Sequence, residues 1–211
     1  MASVLDTVNA LITLAELKSY LASDTGDEFL TGITYDNELE RLINSASMWA
    51  NEYTGVDLLA RVQTEYYDGD GTDTLFLHNF PIGSVASEIV LHVDTDRDYE
   101  DGTLIDTDYI IVYSTLGKIV LSSDVFSIGP QTVKIVYTAG HGAAADPSDV
   151  PADIKYAIKM ICSALWKSQK NRMSGIQSIT TDGQSVTIKE SLFDPDVKLM
   201  LEPYSRLKWG L

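Results

Sequence analysis

The feature that most limits what this chain can fold into is a change of hydrophobic period that happens twice. Residues 61–138 alternate at every second position, whereas both flanks repeat at every third or fourth. Such a chain buries sheet faces in its middle and helix stripes at its ends, an α+β arrangement. The second switch is the sharper one. Residues 132–172, TVKIVYTAGHGAAADPSDVPADIKYAIKMICSALWKSQKNR, pass from a buried-type strand through a Gly/Ala/Asp/Pro loop into a long amphipathic helix opened by Pro151.

The elements follow from spacing and punctuation. Thr13 with Glu16 three residues later has capping-box spacing, and Leu14, Leu17 and Leu21 mark the buried side of a short first helix. A polar loop, 24–36, separates it from a second helix over roughly Asn37–Tyr53, whose stripe is Leu39, Leu42, Ile43, Ala46, Ala50 and Tyr53 and whose stop is Gly55. Six short runs then read as strands: VQTEYY, TLFLH, SEIVLHV, DYIIVY, KIVLSS and TVKIVYT. The fourth and fifth flank STLG, a hairpin connection with Gly117 free to take a positive φ. The long helix carries Ile154, Ala157, Ile158, Ile161, Cys162 and Leu165 on one side. Beyond it, SGIQSITTDGQSVTIKES reads as a hairpin turned by Asp182-Gly183 and projecting as an arm, which as a lone two-stranded ribbon needs support from its own domain or a neighbouring subunit. Val197, Met200, Leu201, Tyr204 and Leu207 keep helical spacing in the tail, with Pro203 ending or kinking that helix near Glu202.

Charge narrows the function. The net charge is −16, split as −19 over residues 1–151 and +3 over 152–211. A body this acidic repels nucleic acid, because affinity for phosphates comes from Lys and Arg. No apolar run reaches the ~18 residues of a membrane span, and the first residues lack a signal-peptide pattern, so synthesis in the cytoplasm is the expectation. The lone Cys162 lies on an apolar stripe, where packing rather than redox chemistry is its expected role.

The chemistry-bearing residues assemble no reactive set. Asp68–Asp73, DGDGTD, offers three carboxylates without the distant bidentate glutamate of a calcium loop and reads as a turn. Asp94–Asp101, DTDRDYED, places Tyr99 where such a loop needs glycine and reads as a solvated acidic loop. His78 and His92 sit in strand-like runs, and His141 in TAGHG sits in a glycine turn with no nucleophile elbow or phosphate loop nearby. No catalytic residue, metal ligand or cofactor is expected.

Taken in order, WANEYTG (49–55), DGDGTDTLFLHNFPI (68–82), KIVYTAGHG (134–142), VPADIKYAI (150–158) and LEPYSRLKWG (201–210) resemble the head-to-tail connector, or adaptor, proteins of tailed bacteriophages. The resemblance implies a non-enzymatic virion protein at the head–tail junction, assembled in the host cytoplasm. It further implies a small helical bundle formed by the N- and C-terminal segments with an inserted antiparallel β region, the whole of 1–211 acting as one adaptor domain. Within that domain the boundaries are N-terminal helices at 1–60, β insert at 61–138, long helix at 150–173, hairpin arm at 176–190, and C-terminal helix and tail at 194–211. The partners so implied are further copies of the chain in a dodecameric ring, the portal protein above it, and a head-closure (stopper) or tail protein below. DNA would pass through only as cargo, and no membrane is involved. The region 84–127 and the hairpin are longer than a minimal helical adaptor requires.

Contacts follow from residue chemistry instead. Lys198, Tyr204, Arg206, Lys208 and Trp209 join positive charge to large amphipathic rings, a composition suited to docking on the portal. The opposing reading packs this tail on its own bundle. Thr180, Thr181, Asp182, Gly183, Gln184 and Ser185 form the arm tip, expected at a neighbouring subunit or facing the lumen, where acidic groups including Asp94, Asp96 and Asp98 would let DNA slide. A head-closure or tail-terminator ring of the same neck is the alternative, and a calcium-dependent β-rich recognition module a more distant one.

Overall fold

The computed structural model describes residues 3–25, 32–83, 86–100, 103–142, 146–171, 178–181, 184–187 and 195–206. The chain divides into two compact units, one formed by 1–55 with 147–210 and the other by 56–146.

The first unit is helical. Its α1 spans Leu14–Thr25, α2 Asp36–Thr54, α3 Ala152–Asn171 and α4 Pro195–Leu201. The capping box at the start of α1 is reciprocal: the Thr13 hydroxyl accepts the Glu16 N–H at 3.2 Å and Glu16 accepts the Thr13 N–H at 2.8 Å. Gly55 closes α2 at φ 73°, donating to the Asn51 carbonyl at 2.8 Å, a left-handed cap that a side chain would strain. Along α3, Ile154, Ala157, Ile158, Ile161 and Cys162 are buried as their spacing predicts, each isoleucine worth about 1.5–3 kcal/mol relative to exposure. Two positions differ from expectation. Leu165 is half-buried because Trp166 takes the core slot beside it, and Tyr53 is half-buried because it stacks on Trp49, ring centroids 5.2 Å apart. Pro151 lies just before α3, its carbonyl accepting the first helical bond from Lys155, so it caps the helix from outside the first turn.

Polar side chains on α2 hold the chain's irregular beginning. Glu40, Asn44 and Ser47 share one helix face. Glu40 accepts from the Ser3 hydroxyl and the Val4 N–H at 2.9 and 2.6 Å. Asn44 accepts the Asp6 N–H and donates to the Val4 carbonyl, both at 2.9 Å, and Ser47 accepts the Leu11 N–H at 3.1 Å. These bonds replace the ladder partners the segment lacks, so Ala10, Leu11 and Ile12 can enter the core. The charge asymmetry seen in the sequence closes here as well: α3 supplies Lys155 to Glu16 at 3.1 Å and Lys167 to Asp24 at 2.7 Å.

The second unit is two three-stranded antiparallel sheets over one core. Strands β1 (Arg61–Gly69), β2 (Thr74–Phe76), β3 (Val90–Val93), β4 (Ile110–Tyr113), β5 (Lys118–Leu121) and β6 (Gly129–Ala139) pair in the orders β1-β6-β3 and β2-β5-β4. Leu91, Val133, Ile135 and Tyr137 from the first sheet share one buried cluster with Leu75, Ile110, Ile119 and Leu121 from the second, and Phe126 belongs to it. The β4–β5 hairpin forms as read, through a 3-10 turn at Ser114–Leu116 and Gly117 at φ 57°. Strand ends moved where polar residues compete: Ala86–Glu88 form a 3-10 turn, so β3 starts at Val90, and β2 stops at Phe76 because the Leu77 N–H turns to the Gly117 carbonyl at 2.7 Å. The architecture is α+β. Among the described residues no helix is long and apolar enough to cross a membrane.

Candidate functional site

The tail is only partly presented to solvent. In α4, Val197 and Leu201 are buried while Lys198 and Leu199 are exposed. Pro203 ends the α-helix as anticipated, in a 3-10 turn at Glu202–Tyr204. Tyr204 then turns inward: its hydroxyl lies 2.7 and 2.8 Å from the two Asp153 carboxylate oxygens, tying the tail to the start of α3. Burial and that carboxylate both raise the phenol's pKa, so the hydroxyl keeps its donor proton at neutral and alkaline pH. Arg206 is half-buried, and Lys208 and Trp209 lie outside the described residues. The tail therefore packs on its own unit through Tyr204 and offers Lys198 and Leu199 outward.

The arm is a two-stranded antiparallel ribbon, β7 (Ser178–Thr181) with β8 (Gln184–Thr187). Thr180 pairs with Ser185 and Thr181 with Gln184, which leaves Asp182 and Gly183 as the two-residue connection, outside the described residues.

The acidic loops are ordered by their own carboxylates. In the 68–73 turn the Asp70 side chain accepts the Thr72 N–H and hydroxyl at 2.9 and 2.7 Å, the turn reading of that stretch. Asp94 is buried at the mouth of its loop and accepts the N–H groups of Asp96, Asp98 and Tyr99 at 2.9, 3.0 and 2.9 Å. Those backbone donors, Tyr99 first, hold the Asp94 pKa down at about 2, whereas Asp98 is raised by the Asp94 carboxylate beside it. Asp94 consequently orders its own loop, and Asp96 and Asp98 remain exposed. Because the folded state favours its ionised form, the stabilisation from Asp94 is complete above about pH 4 and is lost as pH falls through about 2. Asp94→Asn should lower the melting temperature at pH 7 and flatten its fall across that acid interval; an unaltered acid limb in a thermal melt series would show that the three bonds contribute nothing.

His92 and Cys162 are buried. His92 is more buried than its strand position suggests, its Nδ1 3.1 Å from the Thr103 hydroxyl. His141 belongs to a backbone clasp, its N–H donating to the Leu58 carbonyl and its carbonyl accepting from Ala60. Burial pushes the Cys162 thiol up to about 12, keeping it unreactive at neutral pH. No group of three or more His, Cys, Asp or Glu among the described residues is placed to hold a metal. An open cleft of about 490 Å³ beside β4 and β5 is lined by Leu104, Ile105, Tyr109, Asp106 and Asp124, yet the Asp106 carboxylate is engaged in capping the turn at Asp108.

Sequence reading passed over two cation–aromatic clusters on the sheets. Lys134 lies 5.4 Å from the Tyr99 ring, itself 5.5 Å from Tyr66, and Lys118 lies 4.9 Å from Tyr113 and 6.0 Å from Phe76. The available signal was aromatic residues at the outward phase of strands that already had apolar inward phases.

A helical unit drawn from both sides of the sequence encloses, in chain order, a β insert. The model of the head completion protein family matches residues 10–207, nearly the whole chain. The chain belongs to the head completion protein family. Head completion is a structural part in virion assembly rather than a catalytic one. The fold of this head completion protein recurs in a chain from the neck of an empty gene transfer agent (GTA) particle computed with C6 symmetry, at 18% identity and TM-score 0.63, covering 97% of this chain and 94% of that one. Chains from the virion of a native GTA particle (16%, 0.62) and from the neck of a native GTA particle computed with C12 symmetry (16%, 0.59) cover 97% of this chain and 93% and 92% of theirs. No curated protein sequence matches.

Proposed function

We propose that this head completion protein forms a ring beneath the portal, joining the phage head to the tail and surrounding the path of the DNA. The observation that supports it most is coverage: the same two-unit fold, over 97% of the chain, occurs in particle necks computed with sixfold and twelvefold symmetry. A dodecamer is the assembly these symmetries favour. The exposed carboxylates Asp96 and Asp98, and the Thr180–Ser185 arm, suit a lumen because acidic walls repel the DNA backbone and leave it mobile. The family's own description, head completion, favours as second reading a head-closure ring, which would not bind the portal directly.

The tail is the proposed portal contact, with Lys198, Arg206, Lys208 and Trp209 as its docking groups and Tyr204 as the anchor that holds them to α3. Deleting 203–211 is expected to weaken portal binding by about tenfold or more, as removal of a buried aromatic anchor does. Since the deletion also removes the Tyr204–Asp153 tie, Lys198→Glu serves as the folded control and should weaken binding in the same direction. Unchanged portal affinity in both, with intact circular dichroism, rejects the docking role. Negative-stain images of the chain mixed with portal test the ring itself.

A further inference from the structure

A sheet with one wet face normally places charged or hydroxyl side chains there. Both sheets of the β unit depart from this. Facing away from the core on β1-β6-β3, Val62, Tyr66 and Val90 are 65%, 48% and 43% exposed, with Val136 and Lys134 between them. Facing away on β2-β5-β4, Phe76, Ile111 and Tyr113 are 43%, 44% and 45% exposed around Lys118. Residues 56–146 contain 15 Asp/Glu against 4 Lys/Arg, yet no outward position of a strand pair in either sheet is acidic. Asp68, which has the outward phase of β1, falls at the bulge and accepts the Gln131 N–H at 2.7 Å.

The exposed rings are fixed in advance. Tyr99 donates its hydroxyl to the Gln131 carbonyl at 2.6 Å, in the loop that Asp94 caps. Arg97, Tyr99 and Gln131 all adopt left-handed backbone, at φ 65°, 53° and 50°, a local strain that positions the aromatic cluster at the edge of the face. Each face spans about 14 Å across three strands at about 4.8 Å spacing, a patch of a few hundred Å², which is the scale of functional apolar patches on monomers.

We propose that these two faces are the surfaces through which neighbouring copies of this chain stack, the β1-β6-β3 face of one copy on the β2-β5-β4 face of the next. The proposal rests on the ring reading above and names its contact. The occupant is a second copy for two reasons. Chains carrying −16 each approach most closely where carboxylates are fewest, and the paired outward positions of both faces carry none. A ring subunit also meets two neighbours through two different surfaces, and two sheets turned away from one core supply two; a single partner such as the portal would call for one. The acidic loops then form a repulsive rim, so added salt should strengthen association by screening them.

Val62→Glu spoils one face and Tyr113→Glu the other, and sedimentation velocity, with and without purified portal, reads the outcome. Wild type is expected to form rings and each variant alone to remain monomeric at unchanged melting temperature. An equimolar mixture of the two variants should give discrete dimers, because one intact face of each kind remains in the pair. Rings from either variant alone overturn the face assignment and leave the ring reading standing. A wild-type chain that forms no ring in either condition overturns both. Should glutamate unfold the unit, Thr64→Cys with Val120→Cys in a Cys162→Ser background gives the second test: a short bis-maleimide should produce a covalent ladder in assembled chains, and its absence overturns the proposal.

Discussion

Tyr137→Ala is expected to remove about 3–5 kcal/mol from the stability of the β unit, the cost of emptying a large aromatic from a packed interior. Tyr137 is 1% exposed, and its ring is shared by the cores of both sheets. Its hydroxyl adds a second contribution. It donates to Glu65 at 2.8 Å and accepts the Asn79 N–H at 3.3 Å, while the same carboxylate takes the Tyr67 hydroxyl and, on its other oxygen, the Asn79 amide at 3.0 Å. Glu65 thus joins β1, β6 and the loop after β2 in one polar knot. Tyr137→Phe keeps the ring and strands the Asn79 N–H and one side of Glu65, for about 1–3 kcal/mol. Urea unfolding followed by far-UV circular dichroism separates the two: equal losses for Ala and Phe would mean that the knot, not the packing, dominates.

Gly140→Ala should be at least as damaging, on the order of 3 kcal/mol or more, since it combines left-handed strain with a collision that cannot relax. Gly140 has φ 111°, and a Cβ there would lie 2.6 Å from the Leu59 carbonyl carbon and oxygen and from the Ala60 nitrogen, all backbone. The close approach has a purpose. Gly140 donates to the Pro81 carbonyl at 2.8 Å, His141 donates to Leu58 at 2.8 Å and its carbonyl accepts from Ala60 at 3.0 Å, clasping the entry and exit of the β unit together. The glycine turn around His141 is a closure of the β unit. A variant that melts within a degree of wild type would show that the clasp yields freely.

Much of this was legible in the sequence where the chemistry is local. Thr13 and Glu16 cap α1, Gly55 ends α2, Gly117 turns the β4–β5 hairpin and Pro203 stops α4, all through bonds among residues close in the chain. Periodicity located α2, α3 and six strands for the same reason, because a 3.6- or 2-residue repeat is written into consecutive positions. What failed was which member of a stripe reaches the core: Trp166 displaced Leu165, and Tyr53 stacked on Trp49 instead.

Sequence alone determined the α+β order, the charge split and the family resemblance, since each depends on composition and local spacing. Only the tertiary structure decided that Glu40, Asn44 and Ser47 secure the N-terminal segment, that Asp94 serves its own loop, that Tyr204 anchors on Asp153, and that the paired outward positions of two sheets carry no carboxylate. Each of these depends on which distant residues share a surface or a hydrogen bond, and chain separations such as the 72 residues between Glu65 and Tyr137 are fixed by packing, not by neighbours in sequence.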